Sequence, residues 1–481
     1  MPYRDLREFI TALDEAGQLR RIHTPVSPEL EITEICDRVV KREGAALLFE
    51  NVEGGRYPVL INAFGTRARM NLALGVDSIG QVADRVGAIL SAETPTGIFE
   101  KVKAVPKLLK SAGFFPRIVR DGPCRQIVEK DSPSLAGIPA LKCWPSDGGP
   151  YLTLPLVFTK NPETGARNCG IYRMQVYDER TTGMHWHVHK GGAAHYRLYE
   201  RRGLRMPVAV ALGADPVVTF CGAVPLPEEM DEMLFAGFLR GRGVEMVRCE
   251  TSDIEVPANA EIVLEGYVNP NETRTEGPFG DHTGFYSLPG EFPVFHLTCV
   301  TRRQVPVYHA MVVGRPPMED CFIGEAIGNI FLPAVRRHLP EIVDIHMPFE
   351  GVFHNLMIVS IRKSYPGQAR KVMHAIWGLG QMMFTKIVLV VDADVPVRDA
   401  GYVAWRALNS IDPKRDIEFV TGPVDELDHA SATPRYGGKM GIDATRKWKE
   451  EGFARDWPDE IGMSEDIKNR VTERWKEYGL D

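Results

Sequence analysis

The 481-residue sequence has no uninterrupted apolar run approaching the ~20 residues a membrane-crossing helix needs. Its opening stretch, MPYRDLREFITALDEAG, mixes charges among its apolar residues and lacks the apolar core of a secretory signal. These two absences predict a cytoplasmic protein that does not insert into membranes. The eight cysteines (Cys36, Cys124, Cys143, Cys169, Cys221, Cys249, Cys299 and Cys321) form no C-x-x-C pair, which excludes the usual zinc ribbons and dithiol redox motifs. A reducing compartment suits them. Excess positive charge is missing too: 57 Lys and Arg against 64 Asp and Glu leave −7, so no basic field gathers nucleic acid. No G-x-G-x-x-G follows a strand, no G-x-S-x-G elbow occurs, and Gly437-Gly438-Lys439-Met440 lacks the spacing and hydroxyl of a P-loop. Standard dinucleotide enzymes, kinases and serine hydrolases are disfavoured, which leaves small-molecule chemistry on another scaffold.

What is present is a globular composition, 44% hydrophobic and 25% charged, over a length that predicts about three domains. Residues 1–115 read as an N-terminal α/β domain. Leu6, Phe9, Ile10 and Leu13, then Ile32, Ile35, Cys36, Val39 and Val40, fall at helical spacing, while ALLFE (46–50) and YPVLINA (57–63) read as strands. A basic, proline-broken stretch from Lys101 to Lys130 reads as the first linker. Residues 116–315 alternate with a period of two: LPLVFT, GIYRMQVYD, PVAVALG, VEMVR, EIVLEGYV, PVFHLTCV and VPVYHAMVV predict a mostly antiparallel barrel or sandwich. One helix, 227–241, interrupts it. Residues 316–455 return to strand–helix alternation, with LMIVSI, IVLVVD and IEFV as buried strands and helices near 368–379 and 399–409. Within the tail, 456–481, Ile467, Val471, Trp475 and Tyr478 line one side of a helix over 464–480, which predicts docking on a partner subunit.

Three segments could carry chemistry. In Met184-His185-Trp186-His187-Val188-His189-Lys190-Gly191-Gly192, an extended chain would put three histidines on one face about 6.8 Å apart, a zinc-like arrangement. The alternative is that they serve as donors and ring platforms, with Trp186 and Val188 in the core, while Lys190-Gly191-Gly192 approaches an anion. In Thr275 to Gly284, Glu276 and Asp281 are fixed by Gly277, Pro278 and Gly280. Mutual repulsion there would raise one pKa and keep a protonated acid near neutrality, unless the acids merely face solvent. Arg173, among apolar neighbours, needs an anionic partner. Strict alternation puts Asn168 and Arg173 on opposite faces, so a shared site requires a bulge or a later strand start. Glu232, off the apolar stripe of its helix, reads alone as a solvated residue.

Together, Asn168-x-Gly-Ile-Tyr-Arg173, the Met184–Gly192 segment, Asp231-Glu232 before FAGFLRG, and Glu276-Gly-Pro-Phe-Gly-Asp281-His-Thr-Gly resemble the UbiD decarboxylase family. The likeness spans nearly the whole chain, from DLREFITALDEAGQL through GADP, VPANAEIVLEGY and GRPP to GIDATRKW. It implies a central split β-barrel like that of flavin reductases, holding prenylated FMN through its phosphate, a divalent ion such as Mn2+, and K+ or Na+. Asn168 and Glu232 resemble the metal ligands. Ile171, Tyr172, Arg173, His185, Trp186, His187, Lys190 and Gly191 resemble the cofactor set, His189 is a candidate third ligand where relatives carry histidine near the position of Lys190, and Lys386 resembles a cofactor-reaching lysine. Arg173, Glu276 and Asp281 match the catalytic network, with Asp281 protonating the carbon that CO2 leaves.

The implied activity is reversible, non-oxidative decarboxylation of a 4-hydroxybenzoate-type phenolic acid through a covalent adduct with the modified flavin. Polyprenyl-4-hydroxybenzoate and a furan or pyrrole carboxylate are the alternatives within the family. A flavin prenyltransferase would supply the cofactor, and the enzyme would assemble as a homo-oligomer, a dimer or trimer of dimers. Outside the family, the competing readings are a zinc hydrolase on the His185, His187 and His189 face and a flavin-binding protein without turnover.

Overall fold

The computed structural model describes residues 3–91, 113–227 and 230–480. The expected linker before residue 113 and the opening Glu228 and Glu229 of the expected 227–241 helix lie outside the described residues.

The chain opens with helix Leu6–Glu15, started by the Asp5 side chain, which accepts from the Arg7 and Glu8 N–H groups. It buries Leu6, Phe9, Ile10 and Leu13, the stripe its spacing dictates. A four-stranded sheet follows in the order Leu19–Ile22, Ala46–Phe49, Val59–Ile61 and Tyr308–His309. The last strand corrects the sequence reading, which placed VPVYHAMVV in the central sheet; Tyr308 instead pairs with Val59 and His309 with Leu60. Periodicity says that such a run is buried but carries no information on its partner. One continuous core, from Leu6 to Ile330, unites this layer with the central sheet.

The central sheet is antiparallel, in the order Thr181–Gly183, Gly290–Arg302, Ile262–Glu276, Met206–Leu212, Leu156–Lys160 and Arg167–Ile171, with Ile127–Glu129 also pairing Gly290–Arg302. Its outer strands lead into segments that meet, because the His185 N–H donates to the Arg173 carbonyl at 3.3 Å. The strand expected over 170–178 is broken. Arg167–Ile171 ends, Tyr172 and Arg173 cross over, and Met174–Gln175 pairs instead with Tyr151–Leu152. Helix Glu232–Arg240 is capped by Asp231, which accepts from the Met233 N–H, and stops at Gly241 in a left-handed conformation.

Helix Glu319–His338, which the sequence reading did not identify, bridges the halves of the molecule. Gly324, Gly328 and Pro333 dilute its periodicity. Phe322, Ile323, Ala326 and Ile330 enter the large core, while Leu332 and Val335 pack against the C-terminal sheet. That sheet runs in the order Ile342–His346, Leu356–Ile361, Ile387–Asp392, Tyr436–Asp443 and Ile417–Pro423, parallel in the middle and antiparallel at both edges. Alternation divides its residues between two faces: Met357, Val359 and Ile361 meet helix Gln368–Trp377, whereas Ile358, Leu389 and Val391 meet helix Ala400–Ser410. The tail forms helix Glu465–Glu473 and a turn at Trp475–Tyr478, and neither buries a residue. Among the described residues no helix is long and apolar enough to cross a membrane.

Candidate active site

The broken strand decides the site. Ending Arg167–Ile171 early turns Arg173 toward the loop after Ile262–Glu276 and removes the opposite-face problem that alternation posed. Arg173 forms a fork on Glu276, with Nε to Oε1 at 2.9 Å and Nη2 to Oε2 at 3.1 Å. Its Nη1 donates to Asp281 Oδ2, and Nη2 also donates to Ser287 Oγ at 2.9 Å. The guanidinium lies 4.5 Å from the Phe279 ring centroid, between the two acids in sequence. Glu276 is fully buried and its Oε2 also meets His185 Nδ1 at 2.9 Å.

The loop holds this geometry through two glycines. Gly277 takes φ 93°, which an L side chain rarely adopts, and its N–H donates to Gln175 Oε1 at 2.8 Å. A Cβ on Gly280 would lie 2.1 Å from Trp144 Cδ1.

The electrostatics overturn one expectation. The sequence reading had repulsion raise one carboxyl into the neutral range; instead both acids are held down. His185 and Arg173 lower Glu276 to about 2 against burial, and Arg173 with His282 holds Asp281 far below the usual carboxylate range. A cation between two acids outweighs their repulsion.

Beside this network lies a cradle. A Cβ on Gly191 would come 1.9 Å from Asn168 Oδ1, and one on Gly192 would come 2.7 Å from Trp186 Nε1. Both Asn168 Nδ2 and Trp186 Nε1 are buried without a partner. The Tyr172 ring folds over Gly170, and its hydroxyl accepts from the Gly192 N–H at 3.4 Å. These groups surround the N-terminus of helix Gly191–Arg201, where backbone donors and the helix dipole favour an anion. Glu232 corrects a second expectation: it is not solvated. It faces strand Arg167–Ile171, its Oε2 accepts from the Cys169 N–H at 3.0 Å, and burial raises its carboxyl to about 8. The neighbouring Arg167 is committed to Asp231 and Glu255. Among the described residues, a largely enclosed acid with no paired cation beside the Asn168 amide, whose carbonyl oxygen can ligate, suits a divalent metal ion, so the residues present fit the implied group.

The histidine run does not make a metal face. His185 and His187 meet Nε2 to Nε2 at 2.7 Å, and burial lowers both. A turn from His187 to Lys190 sends His189 onto Phe384 at 5.2 Å between ring centroids. Among the described residues no group of three or more His, Cys, Asp and Glu is arranged to hold a metal. Trp186 is buried as expected, but Val188 is exposed. Lys190 reaches Gln381 at 3.5 Å, whereas Lys386 pairs with Asp428 at 2.8 Å. The structure therefore gives Lys386 a carboxylate partner within the C-terminal part of the chain, and no contact joins it to the Asn168 cradle.

Family models match most of the chain as three parts of 3-octaprenyl-4-hydroxybenzoate carboxy-lyase: an N-terminal domain over 10–89, a Rift-related domain over 117–316 and a C-terminal domain over 321–444. The chain belongs to the UbiD family. An uncharacterized protein of Archaeoglobus fulgidus is 50% identical over 479 residues, covering 99% of both chains. Vanillic acid decarboxylase of Sedimentibacter hydroxybenzoicus in its closed form superposes with a TM-score of 0.88 at 26% identity, covering 100% of both chains. The UbiD-class enzyme HmfF of Pelotomaculum thermopropionicum, in complex with FMN, gives 0.79 at 28% identity over 94% of this chain and 97% of that one. An evolved dimeric form of HmfF in complex with prFMN also gives 0.79, at 26% identity over 98% of this chain and 100% of the other. UbiD membership makes the protein a carboxy-lyase.

Sequence reasoning missed several residues of this UbiD site. Ser287, on the short strand Tyr286–Ser287, completes the contacts of Arg173. His282 Nδ1 lies 3.0 Å from Asp281 Oδ1. From the C-terminal part, Phe353 and His354 pack on His282 at 5.5 and 5.6 Å between ring centroids. Only the adjacency of His282 to Asp281 was visible as a signal; the others arrive through tertiary packing.

Proposed function

We propose that this UbiD-family enzyme decarboxylates a small aromatic carboxylic acid of the 4-hydroxybenzoate type, reversibly and without net oxidation, with prenylated FMN as cofactor. The observation that carries the reading is the buried Arg173–Glu276–Asp281 network beside an anion cradle built from Asn168, Tyr172 and Gly191, with the Glu232 carboxyl facing the same strand as Asn168. Likeness to vanillic acid decarboxylase and to HmfF with prFMN supports the substrate class and cofactor. The converging edges of the antiparallel sheet support a split β-barrel around them.

Asn168 and Glu232 would hold a divalent ion such as Mn2+ against the cofactor phosphate, with K+ or Na+ nearby. Tyr172, Trp186, Lys190 and Gly191 would line the phosphate side, and Ile171, Arg173, His185 and His187 the flavin side. When bound, the prenylated flavin supplies delocalisation for the electron pair that CO2 leaves behind. Arg173 orients carboxylates, as its fork on Glu276 already does. Glu276 fixes Arg173 and His185. Asp281 delivers the proton to the carbon vacated by CO2.

The eight free cysteines suit action in the cytoplasm. A flavin prenyltransferase is the expected supplier of the cofactor. The exposed tail supports a homo-oligomer, built as a dimer or trimer of dimers.

The test is production of the protein together with a flavin prenyltransferase, followed by absorbance spectra, metal analysis and a CO2-release assay. The acids would be 4-hydroxybenzoate, vanillate, a furan carboxylate and a pyrrole carboxylate. Modified flavin with manganese and CO2 from a phenolic acid is the expected result. A colourless protein holding stoichiometric zinc, or a loaded protein inert toward all these acids, would refute the reading.

A further inference from the structure

Decarboxylation of an anion, R–COO⁻ + H⁺ giving R–H and CO2, consumes one proton, and Asp281 at rest has none to give. With His282 as the imidazolium, every side-chain contact it makes among the described residues is with a donor. Arg173 Nη1 donates to Oδ2, while the His282 N–H at 2.8 Å and His282 Nδ1 at 3.0 Å converge on Oδ1. Beside that imidazolium a protonated Asp281 would find no acceptor in this shell, so the resting carboxyl is ionised. Of its partners, Arg173 keeps its charge at all working pH values. Only His282 carries a proton it can release.

We propose that His282 supplies the proton that Asp281 delivers, and so acts as a positioning and proton-loading residue through Asp281. The inference rests on the decarboxylase reading above. The Nδ1–H bond of the imidazolium breaks as the Asp281 Oδ1–H bond forms. That O–H bond then breaks as the new C–H bond takes up the electron pair left by CO2. Asp281 returns to carboxylate, neutral His282 regains a proton from solvent, and no oxidant or reductant is required.

The far side of the ring is enclosed and faces acids. His282 Nε2 is buried without a partner, and so is Asp320 Oδ1 at the start of helix Glu319–His338. The groups that face His282 are Asp281 beside it, which Arg173 holds, Asp320 from that helix, and His354 and Asp425 from the C-terminal part. His354 Nε2 lies 3.8 Å from Asp425 Oδ1. Asp281, Asp320 and Asp425 together raise His282 above the usual histidine range despite its burial. Burial takes His354 down to about 4, so it stays neutral beside the charged ring.

A strained turn holds this wall in place. Val352 and Phe353 take φ 40° and 69°, conformations that branched and bulky residues rarely adopt. The Phe353 ring occupies the space over Gly324, where a Cβ would lie 2.4 Å from Phe353 Cδ1. The C-terminal part of the chain thus closes one side of the His282 ring.

Two readouts test the proposal. In 15N-histidine-labelled protein, one imidazole should titrate above the ordinary range of about 6.5. That resonance should vanish in His282→Gln and should titrate at lower pH in Asp281→Asn, which removes an anion. In prenylated-FMN-loaded enzyme, His282→Gln should keep the flavin spectrum and KM while kcat falls about 100-fold. A raised pKa means that the proton is present below it, so wild-type kcat should fall as pH rises through it. His282→Gln should lose that alkaline limb, and added imidazole should restore part of the rate.

Asp320→Asn is the second variant, serving also where His282→Gln fails to fold or load. It should move the limb to lower pH and leave the plateau in place. A near-wild-type kcat and unchanged limb in His282→Gln, an unmoved limb in Asp320→Asn, or the absence of a raised histidine would each overturn the proposal. Full turnover by Asp281→Asn would instead remove the acid assigned to Asp281. An inactive Asp281→Asn beside an active His282→Gln would spare that assignment and reject His282 alone.

Discussion

Arg173 sets the charge state of everything around it. Asp281→Asn keeps size but cannot carry a carboxylic proton, and its NH2 group leaves one donor of Arg173 or His282 without an acceptor; it should bind cofactor and substrate yet lose turnover by at least about 100-fold. Solvent-deuterium incorporation into product at an undiminished rate would move the proton donor elsewhere. A second consequence follows from the depressed carboxyls. Glu276 falls from an ordinary 4.5 to about 2 in the folded protein. The stability it contributes is therefore complete above pH 4.5 and is lost as pH falls toward 2. In Arg173→Met that dependence should weaken, because Glu276 loses its main cation while remaining buried. Melting temperatures between pH 5 and 2.5 would show it; identical slopes for the two proteins would contradict the pairing. The two fixed acids and the enclosed arginine were legible as residues, but the sign of the pKa shift was not. It depended on the guanidinium standing between the acids.

At the scale of elements, the start of helix Gly191–Arg201 meets the beginning of strand Arg167–Ile171, at Asn168, with no room for a side chain. Gly191→Ala would push a methyl group into Asn168, and cofactor retention on purification should fall at least about 10-fold. An unchanged flavin-to-protein ratio would place the phosphate elsewhere. Glu232→Ala and Asn168→Ala should each weaken metal binding by about 10–100-fold and lose flavin with it, while the protein stays folded. Manganese titration followed by calorimetry would check this, and full occupancy in both variants would reject the ligand assignment. Helical periodicity placed Glu232 off the apolar stripe and suggested solvent. It could not report that a β-strand, and not water, faces that side of the helix.

At the scale of the whole molecule, the tail is the feature that does not close on itself. Ile461, Met463, Trp475 and Leu480 are exposed beside helix Glu465–Glu473, which has no buried residue. A chain ending in that many unburied apolar groups invites association. Truncation after Asp459 should therefore dissociate or precipitate the oligomer. Light scattering that finds the same soluble assembly would count against a docking role.

The sequence by itself determined many of the elements and the family. Apolar periods of 3.6 and 2 placed helices such as Leu6–Glu15 and strands such as Ile387–Asp392, because burial of one face leaves a local trace in the order of residues. Ordered motifs from Asn168 to Asp281 determined the family, because each functional group there must keep its type and spacing. Tertiary structure alone decided what is not local. It joined Tyr308–His309 to the first sheet and broke the strand at Tyr172, so that Arg173 could face Glu276. It buried Glu232, turned His189 away from His185 and His187, and set Asp320, His354 and Asp425 around His282. A pKa or a metal site depends on which charges and walls surround a group, and these come from residues tens to hundreds of positions away that no local pattern ties together.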